Sequence, residues 1–71
     1  MELTINGNRR DVRLGYPVQH DGRERYITGM CSDPPWIEID NDGKRLALTD
    51  VEWPSRFYWS DGRETREVIW E

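Results

Sequence analysis

Apolar and polar residues alternate along this chain in short runs, and each run ends at a turn signal. Leu3 and Ile5, Tyr16 and Val18, Ile37 and Ile39, Leu46 and Leu48, Phe57 and Trp59, and Val68 and Trp70 are each spaced two apart. A period of two is the mark of strands with one buried face. No stretch of about a dozen residues has the apolar spacing of a helix. The turn signals are Asn6-Gly7-Asn8, Asp21-Gly22, Asp42-Gly43 and Asp61-Gly62. Asp-Gly suits a two-residue hairpin turn, because both central positions need positive φ.

Pairing residues across these turns predicts four hairpins. With Asp42-Gly43 as the loop, Ile39 faces Leu46 and Ile37 faces Leu48, so all four share a buried side. Asp40 then faces Arg45 on the other side. With Asp21-Gly22, Tyr16 faces Ile27, and Val18 lies on their side. With Gly7-Asn8, Leu3 faces Val12 and Glu2 faces Arg13. With Asp61-Gly62, Arg56 faces Glu67, Phe57 faces Arg66, and Trp53 reaches Trp70 if pairing runs past Pro54.

Between hairpins, Ser32-Asp33-Pro34-Pro35 cannot be a central strand, since two prolines remove ladder donors. Thr49-Asp50-Val51-Glu52 has a cap-like pattern too short for an α-helix, so one 3₁₀ turn is expected. The fold class that follows is all-β: a small antiparallel barrel or sandwich of hairpins with one short 3₁₀ turn. Over residues 26–51 the order of strand, loop, hairpin and helical turn is similar in layout to small SH3-like barrels. A layout says little about function.

At 71 residues the chain has room for one domain, 1–71, with a thin core. Charged residues make up 34% and hydrophobic ones 35%, a balance that leans toward disorder. The four Trp, three Tyr and one Phe, with the regular alternation, argue for folding. The net charge is −4. Residues 1–35 are balanced, and the acidic excess lies in residues 36–71. A nucleic-acid-binding domain usually carries a basic field, and only Arg9, Arg10 and Arg13 cluster here. The dominance of Arg among the basic residues fits a G·C-rich, bacterial genome. No apolar run is long enough to span a membrane, no signal-peptide pattern opens the chain, and the lone Cys31 has no internal partner. A cytoplasmic protein with no membrane association is expected.

Candidate chemistry is sparse. His20, beside the Asp21-Gly22 turn, reads as a solvated turn histidine. Cys31 with Asp33 and His20 could supply a nucleophile, an acid and a base, but no spacing holds them together. One Cys and one His do not make a structural zinc site. Asp40, Asn41 and Asp42 lack the glycine and distal glutamate of a calcium loop. The glycines are scattered and form no phosphate loop. The chain therefore reads as a non-enzyme without metal or cofactor.

Aromatic residues are the surplus. They either wrap the edges of a thin core or form a contact surface. Trp36 is out of phase with Ile37 and Ile39, and Arg56 and Tyr58 alternate with Phe57 and Trp59. These three, Trp36, Arg56 and Tyr58, are the candidate binding residues, expected on the outer side of the sheets. The leading functional expectation is a protein-interaction module that binds a partner or itself as a homodimer. The alternatives are a nucleic-acid-binding small barrel, which the acidic half disfavours, and an acidic inhibitor or decoy from a mobile element.

Overall fold

In the computed structural model, which describes residues 1–70, Asn6 and Gly7 have φ of +52° and +82°. Positive φ at both positions is what a two-residue hairpin turn requires. The turn joins β1 (Glu2–Ile5) to β2 (Asn8–Asp11). Leu3 lies opposite Arg10 and Ile5 opposite Asn8. The loop is thus Asn6-Gly7 rather than Gly7-Asn8, and the pairing sits two residues from the expected register. Leu3 and Ile5 are still buried, and so is Val12, just past the strand.

Asp21 and Gly22 likewise take positive φ. They join β3 (Pro17–His20) to β4 (Arg23–Ser32), with Pro17 opposite Tyr26 and His20 opposite Arg23. Here the expected register holds. Ile27 donates its N–H to the Tyr16 carbonyl at 3.0 Å, and Gly15 donates to the Ile27 carbonyl at 2.7 Å. Tyr16, Val18 and Ile27 are all buried.

The Ser32–Pro35 stretch is itself a hairpin turn, with a cis Asp33–Pro34 bond. It connects β4 to β5 (Pro35–Ile39) and completes a three-stranded sheet in the order β3-β4-β5. Pro35 is the first residue of its strand, where a missing donor is tolerated. A β-bulge between Ile27 and Gly29 shifts the β4–β5 register.

Past β5 the chain reverses earlier than Asp42-Gly43 predicts. Asp40 and Asn41 both adopt left-handed φ, and Ile37, not Ile39, pairs with Leu46. Asp40 does not meet Arg45: it ion-pairs with Arg25 on β4. Arg45 instead lies over the Trp36 ring, 4.5 Å from its centroid. The slip is two residues, so the side chains keep their faces. Ile37 and Ile39 are buried, with Leu46 and Leu48 half-buried against them. A 3₁₀ turn covers Leu48–Asp50, one residue before the expected start. Its Asp50 carboxylate accepts the Ala47 N–H at 3.0 Å.

The last hairpin pairs β6 (Arg56–Ser60) with β7 (Thr65–Ile69). Its loop is longer than two residues, because the Asp61 carboxylate accepts the N–H groups of Arg63 and Glu64 at 2.9 and 3.2 Å. Phe57 therefore faces Val68 rather than Arg66, again a slip of two.

The architecture is all-β, in three small antiparallel sheets. Among the described residues no sheet closes on itself. The sheets share one core of Leu3, Ile5, Val12, Tyr16, Val18, Ile27, Ile37, Ile39 and Val51.

Candidate functional site

The β6–β7 hairpin has an inner face of Phe57, Trp59, Val68 and Trp70, all half-buried against the core. Tyr16 is the hub of this layer. Its ring centroid lies 4.9 Å from Phe57 and 5.2 Å from Trp59, both edge-on. Trp70 packs on Phe57 at 5.3 Å and on Trp53 at 5.9 Å; the two Trp rings touch, but Trp70 lies opposite Ser55, so the expected Trp53–Trp70 strand pairing does not form. Edge-to-face rings at these distances attract beyond simple area burial. Arg66 and Arg13 lie over Trp59, with centroid distances of 5.4 and 5.9 Å. Arg66 also donates to the Tyr16 hydroxyl at 3.2 Å.

The outer face carries Arg56, Tyr58 and Ser60, opposite Ile69, Glu67 and Thr65. Tyr58 is 72% exposed. Arg56 forms an ion pair with Glu67 at 3.6 Å, diagonally across the strands rather than directly opposite.

The two edges of β6 differ. Trp70 N–H donates to the Ser55 carbonyl and Asp61 N–H to the Glu64 carbonyl. In an antiparallel ladder hydrogen-bonded pairs alternate with non-bonded ones. The bonded positions are therefore 55, 57, 59 and 61. The backbone groups of Tyr58 and Ser60 point away from β7, and among the described residues no other strand pairs with that edge.

That edge opens because of two prolines. Gln19 on β3 and Glu52 exchange backbone hydrogen bonds of 2.9 and 2.8 Å. Continued two residues on, the next bonded pair would be Pro17 with Pro54. Neither has an N–H to give. The pairing stops, the chains diverge, and a cleft of about 690 Å³ opens between them. The consecutive residues Arg56 to Asp61 line one side, and Leu14, Gly15, Pro17, Glu24 and Tyr26 the other. A strand that showed only a face would contribute alternate residues, so β6 presents its edge. Leu14 and Tyr26 are 55% and 50% exposed at this cleft.

Gly15 permits the approach of the two sides. Its φ is +92°, and a Cβ there would stand 3.3 Å from the Trp59 indole nitrogen. Glu24 and Asp61 bring negative charge. The Tyr26 hydroxyl donates to Glu24 at 2.6 Å, and this bond beside the carboxylate raises the phenol above its ordinary range. The two turn N–H groups hold the Asp61 carboxyl below the usual carboxylate range.

Of the candidate binding residues, Arg56 and Tyr58 stand together on the cleft wall. Trp36 does not join them. It sits on β5 in another sheet, half-buried beneath Arg45, outside the cleft lining. The sequence reading missed Leu14, Glu24 and Tyr26. The usable signal was the prolines two residues beyond Gln19 and Glu52, visible only once that pair is known.

The other candidates stay apart. His20 lies 3.5 Å from Asp21. Cys31 donates weakly to the Asp33 carbonyl at 3.6 Å. His20 pairs with the start of β4 while Cys31 is near its end, about 25 Å of extended chain away. Among the described residues no group of three or more His, Cys, Asp or Glu is placed to hold a metal. Arg9 lies against Glu2 at 3.0 Å, Arg13 against Asp11 at 3.4 Å, and Arg10 donates to the Trp70 carbonyl. Among the described residues no helix is long and apolar enough to cross a membrane. Comparison with known proteins finds no matching family model, no matching curated protein and no matching solved structure.

Proposed function

We propose that this chain is a cytoplasmic protein-interaction module, SH3-like in layout, that binds a protein partner at the cleft beside β6. The observation that carries the reading is Tyr58, 72% exposed on the wall of a cleft it shares with the exposed Tyr26 and Leu14. Aromatic side chains bury much area at little entropic cost, which is why interfaces favour them. The nucleic-acid reading has less support, since Arg9, Arg10 and Arg13 each lie against an acid, a carbonyl or a ring.

Site-specific photo-crosslinking in the expressing cell tests the reading. A photoreactive phenylalanine replaces Tyr58 in one variant and Arg9 in another. The expected result is a discrete protein adduct from position 58 and none from position 9. Equal labelling from both, or adducts to nucleic acid alone, would overturn it.

A further inference from the structure

Resting on that reading, we propose that the partner contributes a single extended, basic segment, which docks in the cleft and adds to the free edge of β6 as a strand. The first support is the backbone. The outward N–H and C=O groups of Tyr58 and Ser60 are spaced about 6.8 Å apart, the two-residue repeat of a strand. An extended peptide satisfies such groups in series, and side chains alone do not. Before β6 begins, the same stretch of chain makes such a pairing, where Glu52 exchanges both backbone bonds with Gln19.

The second support is the shape of the cleft. Its opposite side offers Pro17, which has no donor, and Gly15, whose N–H is already given to Ile27. A guest strand therefore finds backbone donors only on β6, and packs its other side against Pro17, Leu14 and the Tyr26 ring. A second copy of the whole domain would have to bring its own hairpin into a gap about 690 Å³ in volume. One extended segment meets that constraint with less bulk.

The third support is charge. Glu24 and Asp61 line the cleft and form no ion pair among the described residues. Asp50 and Glu52 continue the acidic side around the Gln19 end of β3. Of the nearby cations, Arg56 is paired to Glu67, and Arg13 and Arg66 lie on the Trp59 ring. A guest with cationic side chains complements this rim, and electrostatic complementarity sets which partner is chosen.

The test is a titration of the ¹⁵N-labelled full chain with a capped seven-residue peptide of alternating valine and lysine. A valine–glutamate peptide of equal length is the control. Binding of the lysine peptide at about 1 mM or below is expected, at least about tenfold tighter than the control. Hydrogen exchange at the Tyr58 and Ser60 amides should slow by at least about tenfold at saturation. N-methylation of alternate peptide residues should abolish binding in one phase and spare it in the other. Binding insensitive to N-methylation would overturn strand addition while leaving a side-chain contact surface intact. Equal binding of the control would overturn the basic guest. No shift at Tyr58 or Ser60, or concentration-dependent dimerisation through β6 without peptide, would overturn the proposal. Photo-crosslinking from position 58, which does not depend on the peptide, separates that failure from failure of the protein-binding reading.

Discussion

Beneath β1 to β5 the buried side chains are mostly aliphatic and closed off from water: Val12 and Ile37 are 0% exposed and Ile27 is 1%. Beneath β6 and β7 they are mostly aromatic, and each is only half-buried. The first region is enclosed by two sheets and the connecting segments, so small branched residues fill it. The second is a separate two-stranded hairpin, with no ladder to any other strand among the described residues. Rings reach far enough to hold it there, with Tyr16 as the shared contact. A hairpin held by rings rather than by backbone bonds keeps a strand edge open. In this domain the closed core and the open strand edge are different places.

The contrast can be broken by mutation. Ile37→Ala should cost about 2–5 kcal/mol, enough to unfold much of so small a domain, as read by chemical denaturation. Phe57→Ala, in the half-buried layer, should cost less, about 1–3 kcal/mol. If Phe57→Ala proves the costlier of the two, the assignment of stability to the aliphatic region is wrong. Gly15→Ala should cost about 1–2 kcal/mol from its left-handed backbone alone. It should also perturb the Trp59 indole resonance, because the new Cβ meets that nitrogen.

A smaller effect concerns acid pH. The Arg25 guanidinium holds the Asp40 carboxyl below its ordinary value, with help from the Tyr26 N–H. A depressed carboxylate contributes stability above the unfolded value of about 3.9, and the contribution fades as pH falls through the folded value. Thermal melts should therefore drop on acidification below about pH 4, and Asp40→Asn should flatten part of that drop. An unchanged acid limb would remove the Arg25–Asp40 pair from the account. The smallest effect is expected at Tyr58→Ala, within about 0.5 kcal/mol of wild type in stability. That variant should still weaken peptide binding at the cleft.

Which side chains face inward was legible because alternation sets the face. Ile37 and Ile39 against Leu46 and Leu48, and Phe57 on the side of Val68 and Trp70, are where the pattern put them. Register was less legible. Three hairpins slipped by two residues, a shift that preserves every face and so leaves no trace in the pattern. Each slip has a local cause outside simple alternation: left-handed Asn6, Asp40 drawn to Arg25 on another strand, and Asp61 bonding its own turn. Tyr58 and Arg56 were readable as outward, since they alternate with Phe57 and Trp59. The cleft itself was not. It depends on Pro17 and Pro54 falling at the same register step of two strands far apart in the chain, and a coincidence of that kind has no local signature.

The free edge of β6 is the central claim, and native-state hydrogen exchange on the unliganded protein reads it directly. Phe57 and Trp59 amides, bonded to β7, should be protected, while Tyr58 and Ser60 between and beside them should exchange fast. An alternation with period two along these residues supports the open edge. Uniform protection from Phe57 to Ser60 would show that the edge is already covered, and would contradict the account.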